Sequence, residues 1–296
     1  MTASVRARLE SIRGILITAF AAAGLLIAAP ARSADPAVTR EAAPNLPGYN
    51  VYRPATLGRR AMPIIAWANG GCVRSDATWT SLFERWAREG YFVITITQPP
   101  GAPPLTAANA MAPGGRFTVD DQAAAINWAI RENETRGGPY RHHLDTRRIV
   151  AAGNSCGGIT SLTLASRQSN LKSVFVLSGS SVGPGQKVEA SQAIMSKVTV
   201  PVMFIVGGDE DIARVPANMD YDQLPAGGAA MVVMRSAGDH RTVSTEPAIL
   251  RDAGEISVNW FKATLYNDRA ARKALTSTLC AGCDPRIWTV KSKNLR

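Results

Sequence analysis

A serine hydroxyl is a weak nucleophile until a base takes its proton and a third group orients that base. In IVAAGNSCGGITSLTLA, residues 149–165, Ser155 lies two residues after Gly153 and two before Gly157, between an apolar run and a helix-forming stretch. A turn that holds a nucleophile in a strained conformation brings the strand and helix backbones close on either side of it, and glycines at those two positions leave the room. Cys156 is the other nucleophile in this turn. Centring the frame on it puts Asn154 where the first glycine is required, although Gly158 would still serve as the second. Ser155 is the preferred nucleophile and Cys156 the alternative.

The chain has three histidines from which to draw the base. His142 and His143 precede the strand that leads to Ser155, whereas His240, in SAGDHRTVS, follows the last apolar run. In open α/β sheets the reacting groups project from loops at the carboxyl ends of strands, which selects His240. His142 and His143 belong to the opposite end and lack a third partner at a zinc spacing. The acid is sought in VPVMFIVGGDEDIA, where Asp209, Glu210 and Asp211 follow an apolar run and lie between serine and histidine in the chain. Asp211 is chosen, because Gly207, Gly208 and the two residues after them form a turn that carries it toward the histidine; Asp209 is the runner-up. Asp239, beside His240, is read as an exposed neighbour.

A tetrahedral intermediate needs donors for its oxyanion. One is the backbone N–H of Cys156, at the start of a helix. The other comes from Asn69-Gly70-Gly71-Cys72, with Gly71 first and the Cys72 N–H second.

These residues need elements to hold them. PIIAWA (63–68), YFVITIT (91–97), RRIVAAG (147–153), SVFVLSG (173–179), VPVMFIVGG (200–208) and AAMVVMRSAG (229–238) are short apolar runs, the last of them read as the final strand. Between them lie helix patterns. Trp79, Leu82, Phe83 and Trp86 recur at i, i+3, i+4 and i+7; Asp120 and Asp121 open a helix carrying Ala123, Ile126 and Ile130; a final helix turns Val258, Phe261 and Leu265 inward. Strands that are apolar throughout are buried on both faces, which predicts an α/β fold with a doubly wound, mostly parallel sheet. PGYNVYRPATLG reads as peripheral strands. Only twenty residues, SSVGPGQKVEASQAIMSKVT, separate two of the strands near the site, too few for a large lid domain. The expected cleft is open, with the loop 98–118 as its movable wall and Trp67, Trp79 and Met203 in the core.

At 296 residues, with 46% hydrophobic and 19% charged residues, the chain suits one large domain and excludes a disordered protein. Arg6, Arg8 and Arg13 precede the apolar run ILITAFAAAGLLIAA and then AAPARSA, the pattern of a signal peptide over residues 1–34, cut after Ala31 or Ala34. The run is shorter than a spanning helix requires, so no stable membrane anchor is expected after cleavage and the protein is expected in a periplasm or outside the cell. Residues 1–34 hold four arginines and one glutamate, so the remainder keeps +7 of the net charge of +10. The basic residues are scattered without interleaved aromatics, which speaks against nucleic acid as partner. The four cysteines all lie in the exported part, where disulfides persist.

Residues 63–294 resemble the α/β-hydrolase superfamily, most closely a compact exported esterase branch related to dienelactone hydrolases, chlorophyllases and polyester hydrolases. The motifs are WANGGC, GNSCGG, and LCAGC followed by WTVKSKN. The resemblance implies hydrolysis of a carboxylic ester through an acyl-enzyme, with Ser155, Asp211 and His240 as triad, no cofactor and no metal. A small or polymeric ester is the implied substrate. A serine peptidase or acyltransferase with the same triad, or a silent binding protein on the fold, are the alternatives. Two positions depart from the family pattern. Asn69 stands where a histidine usually precedes the oxyanion glycine, and dienelactone hydrolases proper carry cysteine at the position of Ser155. Both oxyanion loops must approach one substrate oxygen, so a Cys72–Cys156 disulfide is expected, leaving Cys280 and Cys283 to pair and pin the C-terminal tail from about residue 276.

Overall fold

A computed structural model describes residues 36–106, 108–110, 112 and 114–295. The expected signal peptide lies outside the described residues. The chain proceeds as β1 (Val38–Ala42), β2 (Tyr49–Pro54), β3 (Met62–Ala68), α1 (Thr80–Arg88), β4 (Phe92–Ile96), α2 (Val119–Glu134), β5 (Leu144–Asn154), α3 (Cys156–Ala165), β6 (Ser173–Leu177), α4 (Val188–Met195), β7 (Val202–Val206), α5 (Arg214–Gln223), β8 (Ala230–Arg235), α6 (Thr242–Thr245), α7 (Pro247–Tyr266), α8 (Arg269–Ser277) and β9 (Trp288–Lys293). They form one nine-stranded sheet in the order β1-β2-β4-β3-β5-β6-β7-β8-β9.

The six strands from β4 to β8 in that order run parallel, and each apolar run of the sequence is one of them. Their side chains alternate between two cores. Ile64, Ala66 and Ala68 face the layer with Ala125, Ile126 and Leu162, while Ile65 and Trp67 face the layer with Leu82, Phe83, Trp86 and Phe261. Burial on both faces is why these strands carry no polar alternation. Trp67 sits at the centre of an aromatic cluster, its ring 5.2–5.7 Å from those of Trp79, Phe83 and Trp86. The helix α2 begins with a capping box in which Asp121 accepts from the Thr118 N–H at 2.7 Å.

Two expectations are corrected at the C-terminal end. The strand β8 is not the last, and α7 is not the final helix: α8 follows, and Trp288–Lys293 adds β9 antiparallel to β8. Only Trp288 of β9 is buried, so the strand lacks the apolar run that marks the others. At the opposite edge β1 and β2 pair antiparallel, as peripheral strands.

After β3 the chain moves to one side to form β4, and then returns to the other side of β3 to form β5. Here the direction of winding reverses, and in open α/β sheets the crevice outside the carboxyl ends of the strands at such a point is where ligands bind. In register, Ala68 at the end of β3 stands beside Gly153 of β5. The fold thereby brings Asn69–Cys72 next to Ser155.

Candidate active site

Ser155 follows β5 with φ 52 and ψ −117, a strained conformation for a residue with a Cβ. The two flanking glycines are required by close approach. A Cβ on Gly153 would come within 2.3 Å of the Gly157 carbonyl oxygen, and one on Gly157 within 2.0 Å of the Ala68 carbonyl oxygen. The Ser155 N–H donates to the Leu177 carbonyl at 3.0 Å, tying the turn to β6.

From this turn runs a continuous chain of hydrogen-bonding groups. Ser155 Oγ lies 2.8 Å from His240 Nε2, and His240 Nδ1 lies 2.7 Å from Asp211 Oδ1. Asp211 is buried and also accepts from the Gly207 N–H at 2.7 Å and the Ala213 N–H at 2.9 Å. Burial pushes its carboxyl up. The hydrogen bonds from His240, Ala213 and Gly207 outweigh that, so the net direction is down from the ordinary carboxylate value. Ser178 Oγ, just after β6, is buried without a hydrogen-bond partner. Asp209, the runner-up, is exposed and pairs with Arg214 at 2.7 Å. Asp239 and Glu210 are exposed as well, and His142 and His143 lie at the other end of β5, with His143 Nδ1 3.2 Å from the Gly58 carbonyl oxygen.

The loop after β3 presses against the nucleophile turn. A Cβ on Gly70 would stand 2.4 Å from Asn154 Oδ1 and 3.7 Å from the Ser155 Cβ. Gly71 and Cys72 both have left-handed φ, 63 and 54, and Cys72 is joined to Cys156 by a disulfide. The second disulfide joins Cys280 to Cys283. Asn69, which departs from the family pattern, is buried and bridges elements: its Oδ1 accepts from Trp67 Nε1 and its Nδ2 donates to the Ile96 carbonyl, each at 2.8 Å. One group of potential metal-ligand atoms lies close together among the described residues, Asp252 with Cys280 and Cys283, but the disulfide removes both thiolates.

A cavity of about 130 Å³ opens beside Ser155 and His240. A larger cavity, about 430 Å³ between Met62, Tyr91, Lys262 and Tyr266, lies at the opposite ends of the strands, so size does not mark the site. Among the described residues, the twelve that line the small cavity include none from 98–118, and half come from 178–184 after β6. Sequence reasoning missed what holds that wall. Asp220 on α5 accepts from the Ser181 N–H at 2.5 Å, Ser181 Oγ at 2.5 Å and Ser191 Oγ at 2.6 Å, all buried. A signal existed: Ala213, Ala217, Asp220 and Leu224 form one buried helix face, and an aspartate there needs partners.

A family description, PETase, PET hydrolase-like, matches residues 29–289. The chain is 27% identical over 304 residues to a cutinase of Thermobifida fusca (strain YX), spanning 91% of this chain and 89% of that protein. It is 28% identical over 251 residues to Cutinase 1 of Thermobifida cellulosilytica, spanning 83% and 82%.

Proposed function

The chain belongs to the PET hydrolase-like family and is a serine ester hydrolase, and from this premise we propose that Ser155, His240 and Asp211 are its triad and that it cleaves polymeric esters. The observation that carries the assignment is the unbroken sequence of contacts from Ser155 Oγ through His240 to buried Asp211. Ser155 Oγ attacks the ester carbonyl carbon as His240 Nε2 takes its proton. Asp211 holds the Nδ1–H tautomer and stabilises the imidazolium. The carbonyl electrons move onto oxygen, where the N–H groups of Cys156 and Gly71, or Cys72, receive them. Collapse expels the alcohol, which leaves with the proton from His240. Water then attacks the acyl-enzyme with His240 again as base, releasing the acid and restoring Ser155.

A polymer suits the shape of the site. A cavity of about 130 Å³ is below the roughly 300–1,000 Å³ of pockets that engulf a ligand, so one acyl unit enters and the rest of the chain lies outside. Ile212, which lines the cavity, is 56% exposed, and Val215 one turn along is 78% exposed, an apolar rim for such a chain. No helix among the described residues is long and apolar enough to cross a membrane. With residues 1–34 as a signal peptide, a polyester outside the cytoplasm is within reach.

The test is labelling of the protein with a fluorophosphonate followed by peptide mapping. An adduct on Ser155 and its loss in Ser155→Ala, with ester turnover lowered by roughly 10⁶-fold, are the expected results. Undiminished turnover in that variant overturns the triad.

A further inference from the structure

The segment Gly115–Phe117 runs alongside the oxyanion loop. Phe117 N–H donates to the Cys72 carbonyl at 2.8 Å, Arg74 N–H donates to the Gly115 carbonyl at 3.1 Å, and Arg116 pairs with Val73 as an antiparallel bridge. Phe117 is buried while Arg116 is exposed, with its Nη2 3.9 Å from Cys156 Sγ. The backbone that carries this guanidinium is thus fixed to the loop holding Gly71 and Cys72, and its head rests on the residue after the nucleophile. A disulfide sulfur is a weak acceptor and leaves the charge uncompensated.

Three other arginines around the site have a carboxylate partner. Arg74 pairs with Asp121 at 2.6 Å, Arg214 with Asp209 at 2.7 Å and Arg235 with Glu246 at 3.0 Å. Among the described residues no carboxylate lies within 4.0 Å of Arg116. The cavity wall offers no carboxylate either. A guanidinium is a planar fork of donors matched to a planar pair of oxygens.

We propose that Arg116 is a carboxylate-binding subsite, so that the protein favours esters bearing a free carboxylate on the part of the substrate lying across the Cys72–Cys156 disulfide. The substrate class is the half-ester of a dicarboxylic acid. Scission of one ester bond in a polyester of a dicarboxylic acid and a diol adds water and leaves a carboxylate on one new end and a hydroxyl on the other. Endo-cleavage of such a polymer is therefore the class of reaction that supplies this substrate, and Arg116 holds the acidic end while Ser155 cuts the next ester.

The inference rests on the ester-hydrolase reading and is tested with pairs differing only in charge: 4-nitrophenyl half-esters of succinic, glutaric and adipic acids against their methyl esters. Blank hydrolysis is subtracted. In the wild-type protein, kcat/KM for the half-ester of at least one chain length exceeds that for its methyl ester, and the ratio falls as NaCl rises toward 1 M. Arg116→Gln lowers that ratio about tenfold, with the change in KM, and Arg116→Lys restores part of it. A ratio equal in the wild-type protein and Arg116→Gln at every chain length overturns the subsite. A wild-type protein that turns over neither ester of any pair overturns the ester-hydrolase reading instead.

Discussion

The charge of Asp211 is held by donors and not by a permanent cation: two backbone N–H groups and the His240 ring face its oxygens. Its carboxyl lies below the ordinary value, so its contribution to stability is present above the unfolded-state pKa, about 3.9, and is lost as the pH falls through the lower folded value. Asp211→Asn removes this ionisation. The gap in Tm between the wild-type protein and Asp211→Asn is therefore expected to be constant above about pH 5 and to narrow below about pH 4; melts at closely spaced pH values check it, and a gap independent of pH contradicts the bonding described. Asn69 is a second residue whose worth lies in what it satisfies. Asn69→Ala leaves the Trp67 indole N–H and the Ile96 carbonyl without their buried partner, at a cost of roughly 1–3 kcal/mol readable in a denaturant midpoint. An unchanged midpoint would mean that water takes its place.

Among elements, the wall of the cavity depends on a helix that contributes no reacting group. Three donors converge on Asp220, whose burial pushes its carboxyl up, with the serine hydroxyls and the Ser181 N–H acting against that shift. Asp220→Asn offers one acceptor oxygen and turns an amide NH2 toward a donor, so 178–184 loses its anchor. The expected outcome is a loss of roughly 1–3 kcal/mol together with a several-fold fall in ester kcat/KM. Ser191→Ala, which leaves the Ser181 contacts intact, is expected to cost stability with a smaller kinetic effect. Equal kinetics in Asp220→Asn and the wild-type protein would separate α5 from the site. These contacts mark the limit of the sequence. The parallel strands were legible because burial on both faces leaves an apolar run, and Gly153 and Gly157, which frame Ser155, were legible because the turn has no room for a side chain at either position. The strand β9 was not, since a charged edge strand with one buried residue carries neither run nor alternation, and charge is how an edge avoids pairing with another chain. Asp220 was hidden for a related reason. Its donors Ser181 and Ser191 are 39 and 29 residues away, and only the fold brings them together.

At the scale of the whole molecule, the crevice divides the sheet into β4 and β3 with the edge strands β1 and β2 on one side and β5 through β9 on the other. Ser155 belongs to one side and Gly71, the proposed oxyanion donor, to the other. The Cys72–Cys156 disulfide crosses the crevice between positions 84 residues apart in the chain, a loop whose closure stabilises the fold by about 4.5 kcal/mol on the chain-entropy account. The Cys280–Cys283 disulfide spans a separation of three residues and is worth about 2 kcal/mol on the same account. The two bonds therefore have different signatures. Cys72→Ala with Cys156→Ala is expected to lower both Tm and ester kcat, the latter by about tenfold or more, because loss of one oxyanion donor outright costs roughly 10²–10³-fold. Cys280→Ala with Cys283→Ala lowers Tm by less and leaves kcat near the wild-type value, since the loop it closes lies between α8 and β9 and holds none of the site's residues. Titration of the wild-type protein with a phosphine reductant then reproduces the first pattern. If reduction lowered Tm while kcat held, the bond would be a staple of the fold alone, and the oxyanion loop would keep its place through Asn69 and the packing of Gly70 on the nucleophile turn.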